Sequence, residues 1–248
     1  MVNGQPQSAD WNSQRPKVIR DGLGIGVATG TYGLSFGALA VAAGLSVPQA
    51  CALSSLMFTG ASQFAMVGVI AAGGNPFTGA ATATLLGTRN ALYGLHLTPL
   101  LRLPGWRRIP AAHIVIDESA AMTVGREPRA ARLGFWTAGL AVFVCWNLAT
   151  ITGALGARLL SDPRVLGLDV VAPAAFLALL APRMVTRRSW LVACAAAVVS
   201  LTAVPVMPAG LPVLVVAVVT ALLAITTARR NPHPDLPVHQ PAREGEAQ

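Results

Sequence analysis

Arg89 stands near the middle of an apolar stretch, Pro76 to Leu101, that is long enough to span a bilayer. An arginine at the centre of a membrane helix costs roughly 2.5 to 3.5 kcal/mol on insertion scales, so it usually faces a protein interior or an aqueous cavity. The rest of the chain must then build that cavity. A second arrangement is open: Thr88, Arg89 and Asn90 break the stretch, and the guanidinium snorkels from a short half to the interface.

Composition says what kind of chain surrounds this charge. With 54% hydrophobic residues, 11% charged and only 10 acids in 248, a soluble domain could not hide so much apolar surface. The fold class expected is all-α: a polytopic helical integral membrane protein with about seven or eight hydrophobic segments, some discontinuous or re-entrant. The net charge of +8 sits in clusters between apolar stretches, the footprint of a lipid bilayer and the positive-inside rule rather than of nucleic acid. Cys51, Cys145 and Cys194 each lie in an apolar stretch without metal-like spacing, so they read as packed thiols and no metal is expected.

Residues 1–20 are polar and end in Arg15, Lys17 and Arg20, with no apolar run before them. They read as a cytoplasmic segment that is not removed, with Trp11 at the interface. Residues 21–228 form a single transmembrane domain. Gly22 to Gly44 is its first span, with Gly22, Gly26 and Gly30 four apart and Gly33 and Gly37 repeating the step. That spacing lets another helix approach closely; the alternative is that Tyr32, Gly33, Ser35 and Gly37 form an unwound patch meeting a ligand. Ser46 and Pro48 start a second stretch, Gln49 to Gly73, whose middle bunches Thr59, Gly60, Ala61, Ser62 and Gln63. Such a run suits either an opened backbone or hydrogen bonds between helices.

Several of these residues together resemble the AzlC-type branched-chain amino acid exporters: Phe36 to Gly44; Phe58 with Gly60, Ala61, Ser62, Gln63 and Phe64; Arg89, Asn90, Leu92 and Tyr93; Asp117 with Glu118; and the run from Gly167 to Pro182. The resemblance covers about residues 18–228. It implies export of branched-chain and related apolar amino acids across the cytoplasmic membrane, with a small AzlD-type membrane subunit as partner. Where the family often has a second basic or imidazole residue after the arginine, this chain has Asn90.

The fourth stretch, after the basic loop Arg102 to Pro110, spans only about sixteen residues and holds His113, Asp117 and Glu118. On a helix, His113 and Asp117 share a face while Glu118 points about 100 degrees away, so the acids can serve different partners, one of them Arg89. Alternatively Asp117, Glu118 and Ser119 cap an interfacial helix. Arg126, Arg129 and Arg132 precede a clear span, Leu133 to Ala157, with Trp136, Trp146 and Asn147 inside it. Asp169 then enters a stretch broken by Pro173, read either as an opened helix or as a proline kink. Arg183, Arg187 and Arg188 are a further basic cluster, and Ser189 to Met207 and Leu211 to Ala228 read as scaffold. The tail 229–248, rich in proline and polar residues, reads as disordered.

Both termini are expected in the cytoplasm. If all eight stretches cross, however, Arg102, Arg107 and Arg108 fall outside, against the charge rule. If one of stretches two and three is re-entrant and the fourth does not cross, every arginine-rich loop lies inside. No phosphate-binding glycine loop appears, so nucleotide hydrolysis and a nucleotide cofactor are not expected.

An amino-acid site needs a cation or a helix N-terminus for the carboxylate, an acid or carbonyls for the ammonium, and an apolar wall. The substrate-site candidates are Arg89, Asn90, Tyr93, Gly60, Ser62, Gln63, Phe36 and Phe64, with Asp117, Glu118 and Asp169 as ionisable or coupling groups. Outside transport, an ion or solute channel is one alternative, and an intramembrane serine hydrolase using Ser62 and His96 is another.

Overall fold

The computed structural model describes residues 11–159, 177, 180–181, 184–208 and 211–230. The Gly167 to Pro182 run, with Asp169 and Pro173, and the 229–248 tail lie wholly or mostly outside them. The chain divides into two compact units, one comprising Met1–Arg183 with Pro208–Leu211, the other Met184–Met207 with Pro212–Gln248. Among the described residues all regular structure is helical. The second unit contributes α9 (Arg187–Ala203), capped by the Thr186 hydroxyl on the Ser189 amide at 3.1 Å, and α10 (Leu211–Arg230).

In the first unit the chain runs through α1 (Trp11–Gly30), α2 (Tyr32–Ala42), α3 (Val47–Met57), α4 (Gly60–Ala71), α5 (Pro76–Leu101), the short α6 (Arg108–His113) and α7 (Asp117–Ala121), and α8 (Pro128–Leu159). Among the described residues two stretches are long and apolar enough to cross a membrane by length and composition, Trp11–Ala42 and Pro128–Leu159. Helix α8 turns Leu140, Val144, Leu148, Ile151 and Leu155 outward in one stripe. An outward-facing apolar stripe of this kind suits lipid rather than water.

The glycine ladder decides how α1, α2 and α8 pack. Gly22 faces Thr137 and Ala138, Gly26 faces Ala141, Gly30 faces Cys145, Gly33 faces Trp146 and Ala149, and Gly37 faces Thr150 and Ala154. The two sets of numbers rise together, so the helices run parallel. A Cβ at Gly22 would come within 2.9 Å of the Thr137 side chain, and one at Gly37 would collide with the Thr150 carbonyl. Close packing is therefore what these glycines are for. The alternative, an unwound patch around Tyr32 to Gly37, reduces to a single break at Thr31, whose hydroxyl donates to the Ala28 carbonyl at 2.7 Å. The helix also begins earlier than expected, at Trp11, where the Arg129 guanidinium stacks 4.2 Å over the indole.

Both helices start at one end of the unit, and that end collects the basic residues. Arg126 pairs with Asp21 at 3.3 Å, and the Arg132 Nε donates to the Leu100 carbonyl at 2.7 Å, bringing the end of α5 to the start of α8. Arg15, Lys17 and Arg20, the Arg102–Arg108 loop, and Arg126, Arg129 and Arg132 thus share one side, called here the arginine end.

Helix α5 is unbroken, about 39 Å long by its 26 residues, so of the two arrangements open to this stretch the one in which Thr88 to Asn90 break it does not occur. Asn75 and Pro76 start it, the Asn75 side chain accepting from the Phe77 amide at 2.8 Å. Antiparallel to it lies α4: Gly79 packs on Met66 and Val69, and Gly87 lies beside Ser62. Helix α4 therefore runs from mid-height away from the arginine end. Helix α3, started by a capping box between Ser46 and Gln49, runs down to meet it. Its Ser54 hydroxyl donates to Thr150 at 3.1 Å, and Phe58 then packs edge-on against Phe143. The second stretch is a hairpin of two half-length helices, turning at Phe58, whose φ is 23°, and Thr59.

A second hairpin enters from the arginine end. Helix α6 climbs beside α5, and the backbone then runs without helix through Ile114 to Ile116. Helix α7 returns, with Ile114 against Gly139 and Met122 against Gly134. Because the chain breaks between them, His113 and Asp117 do not share a helical face, contrary to expectation. His113 instead meets the Ser55 carbonyl at 2.8 Å and stacks on Phe58, joining the two hairpins.

Candidate functional site

The tips of both hairpins, the α1–α2 break and the middles of α5 and α8 converge on one cavity of about 100 Å³. That is room for several waters. Thr29 and Tyr32 line it from the α1–α2 break; Phe58, Thr59, Gly60, Ala61 and Phe64 from the first hairpin; Arg89 and Asn90 from α5; Ile116, Asp117 and Glu118 from the second hairpin; Val142 and Trp146 from α8. Each break has a local cause. At the first tip, the Gln63 amide donates to the Leu53 and Ser54 carbonyls at 3.0 and 3.1 Å, satisfying the end of α3 across the turn. At the second, the buried Ser119 hydroxyl donates to the Ile114 carbonyl at 2.7 Å and accepts the Ile116 amide at 3.1 Å. Opened backbone and internal hydrogen bonds, set out as alternatives for the Thr59 to Gln63 run, occur together.

Arg89 Nη1 lies 3.1 Å from Asp117 Oδ2, with both side chains about one-third exposed to the cavity (32% and 29%). The arginine neither snorkels nor stays unpaired: a cavity-facing acid holds it, as burial of a charge demands. Glu118 is the second acid. It faces the Thr29 hydroxyl and feels both Arg89 and Asp117. Two carboxylates and one guanidinium line the cavity, so it carries an excess negative charge when all three are ionised.

Opposite lies an aromatic wall. Phe64 and Trp146 meet edge to face at 6.2 Å, and the fully buried Phe36 braces both, edge-on to Phe64 at 5.8 Å and stacked on Trp146 at 6.2 Å. Several buried polar atoms on lining residues have no protein partner: Arg89 Nε, Asn90 Oδ1, Asp117 Oδ1 and Trp146 Nε1.

Of the residues expected at a site, Gly60, Phe64, Arg89, Asn90, Asp117 and Glu118 line the cavity. Phe36, Ser62 and Gln63 lie behind it, each fully buried, and Tyr93 packs against the core one turn along α5. The hydrolase pair does not form. Ser62 is fully buried beside Gly87 with its hydroxyl 3.5 Å from that of Thr59. His96 is exposed nine positions further along α5, about 13.5 Å by helical rise. Thr29, Ile116 and Val142 drew no notice in the sequence, because they come from three elements with no shared motif. Trp146 was visible only as a tryptophan that packs or anchors.

The family model described as "AzlC protein" matches residues 24–160, more than half of the 248. The chain belongs to the AzlC family. Every lining residue of the cavity falls inside that match. Membership makes this AzlC protein a membrane protein with a role in transport, which accords with the outward apolar stripe of α8. The Gly167 to Pro182 run, part of the resemblance read from the sequence, lies beyond the matched residues. No curated protein and no solved structure gives a significant match to the chain.

Proposed function

We propose that this AzlC protein is a multi-pass secondary transporter of the cytoplasmic membrane that exports branched-chain and related apolar amino acids through the central cavity. The observation that carries the reading is the composition of that cavity. A small cavity at mid-height of α5 and α8 combines a cation, two carboxylates, the N-terminus of α4 and an aromatic and aliphatic wall. A zwitterion with an apolar side chain is the ligand class that uses all four. Opposed half-helices meeting at mid-membrane are also how secondary transporters expose polar groups to a substrate. Glu118, without a guanidinium of its own among the described residues, is the candidate for a coupling proton.

The arginine end is the cytoplasmic face in this reading, since three basic clusters gather there. A cysteine at Gly105, with Cys51, Cys145 and Cys194 removed, should resist a membrane-impermeant thiol reagent in intact cells and react in inside-out vesicles. Labelling in intact cells would reverse the orientation.

A small AzlD-type subunit is proposed as partner on the strength of the family resemblance. The glycine ladder is not a face for it, because α8 fills that side. The functional test is efflux of preloaded labelled valine or leucine from cells expressing the chain with and without a neighbouring small membrane gene. Efflux should require both genes. No efflux of either amino acid with both present would refute the transporter reading, and full efflux by this chain alone would remove the partner.

A further inference from the structure

We propose that the cavity has two poles, and that the substrate carboxylate is bound by the N-terminus of α4 together with the Trp146 indole N–H, while the ammonium is bound by Asn90 Oδ1 and Asp117 Oδ1. The inference rests on the amino-acid reading above and goes beyond it. The obvious partner for a carboxylate, Arg89, has a prior engagement, since its Nη1 is 3.1 Å from Asp117. Arg89 then acts as a positioning residue that fixes the acid, its own Nε staying unpartnered.

The donor pole consists of groups that find no acceptor in the protein. Thr59, the N-cap of α4, makes no side-chain bond to the first turn, its hydroxyl lying instead 3.5 Å from that of Ser62. The first amide of this helix to reach a carbonyl is that of Gln63, so the N–H groups of Gly60 and Ala61, both on the cavity wall, meet no backbone carbonyl among the described residues. Helix N-termini with free amides bind anions, and α4 with 12 residues carries a full dipole. Trp146 is the second, independent observation. Its side chain is 4% exposed and lines the cavity, and its Nε1–H has no acceptor. Its ring lies against Gly60, 3.2 Å from where a Cβ would stand. A buried tryptophan N–H normally finds a partner.

The acceptor pole is the complement. Asn90 Oδ1 and Asp117 Oδ1 are buried acceptors on cavity-lining residues, again without partners. An ammonium supplies three donors and no acceptor, which is what they lack. Asn90 brings this acceptor without a charge of its own, whereas a cation there would repel the ammonium. The aliphatic side chain falls to the remaining wall, Phe64 and Val142 among it.

The test uses two half-ligands of valine. Isovalerate keeps the side chain and the carboxylate, isobutylamine the side chain and the ammonium. Each competes with labelled valine for uptake into inside-out vesicles carrying the full chain and the proposed small subunit. Trp146→Phe retains an aromatic ring against Phe36 and Phe64 but loses the N–H; Asn90→Leu retains the shape but loses the acceptor. Trp146→Phe should raise the half-inhibiting concentrations of valine and isovalerate about tenfold and leave isobutylamine within about twofold. Asn90→Leu should do the reverse, weakening valine and isobutylamine and sparing isovalerate.

A general disturbance of packing would weaken all three together, so equal losses overturn the assignment. So does a variant that matches the wild type on every probe, or a wild type that neither half-ligand inhibits. Wild-type vesicles that transport no apolar amino acid at all would instead remove the functional reading beneath it.

Discussion

The contact of α1 and α2 with α8 and the meeting of the two hairpin tips are both rich in small residues, yet they use them in opposite ways. In the first, Gly22, Gly26, Gly30, Gly33 and Gly37 bring two helix backbones together with no room for a Cβ on the partner side. Helix hydrogen bonding continues along nearly the whole length, and no charge is involved. At the first tip, Phe58 and Thr59 abandon the helix, and with Gly60 and Ala61 at the start of α4 they face a cavity. Small side chains permit close approach in both cases. What separates them is whether a partner backbone or an enclosed polar space stands opposite.

The sharpest way to break this comparison is to put a side chain where the slab has none. Gly37→Leu should cost about 3 kcal/mol or more through overpacking against Thr150 and Ala154, whereas Gly24→Leu, with nothing near its Cβ, should stay within about 0.5 kcal/mol of wild type. Thermal unfolding in detergent would show both. Equal stabilities would mean that the ladder is not the packing seam.

Next in size is a change at the tips that should spare folding and harm function. Arg89→Ala should insert normally, because one charge is a small term beside the apolar residues of α5. It should lower valine efflux at least tenfold at matched expression. Arg89→Lys keeps the charge opposite Asp117 but has a shorter reach and no fork, so its efflux should fall between the two. Efflux by the alanine variant near the wild-type rate would detach the ion pair from transport.

The smallest effect expected joins the two regions. Ser54→Ala removes the buried hydrogen bond from α3 to Thr150 of α8 and should lower stability by about 1 kcal/mol with transport retained. A loss of several kcal/mol would show that the first hairpin depends on this single anchor.

Much of this was legible in the residues. The capping box at Ser46 and the start of α5 at Asn75 and Pro76 follow from local chemistry that no tertiary contact has to supply. The Arg89–Asp117 pair was one of the options open to an arginine that needs a partner. Other readings failed for a physical reason. His113 and Asp117 are four apart, but periodicity cannot show that Ser119 will draw the Ile114 and Ile116 backbone out of a helix. Ser62 and His96 carry the right chemistry for a hydrolase, but nine positions along one straight helix separate His96 from Gly87, the residue beside Ser62. Thr29, Ile116 and Val142 come from three separate elements, and a side chain that becomes part of a wall only through folding leaves no spacing to detect.

By itself, then, the sequence determined the solvent this protein lives in, the helical class, the charge that needs a cavity and the close-packing seam, because hydropathy, burial cost and helical period are local or summed properties. Only the tertiary structure decided that the second stretch turns back at Phe58 and Thr59, that α1, α2 and α8 run parallel, and that the arginine clusters share one end. Those outcomes depend on which polar groups find partners across the fold: Gln63 with the end of α3, Arg132 with the end of α5, and Arg89 with Asp117. Partnerships between residues 9 to 32 positions apart are set by packing, not by pattern.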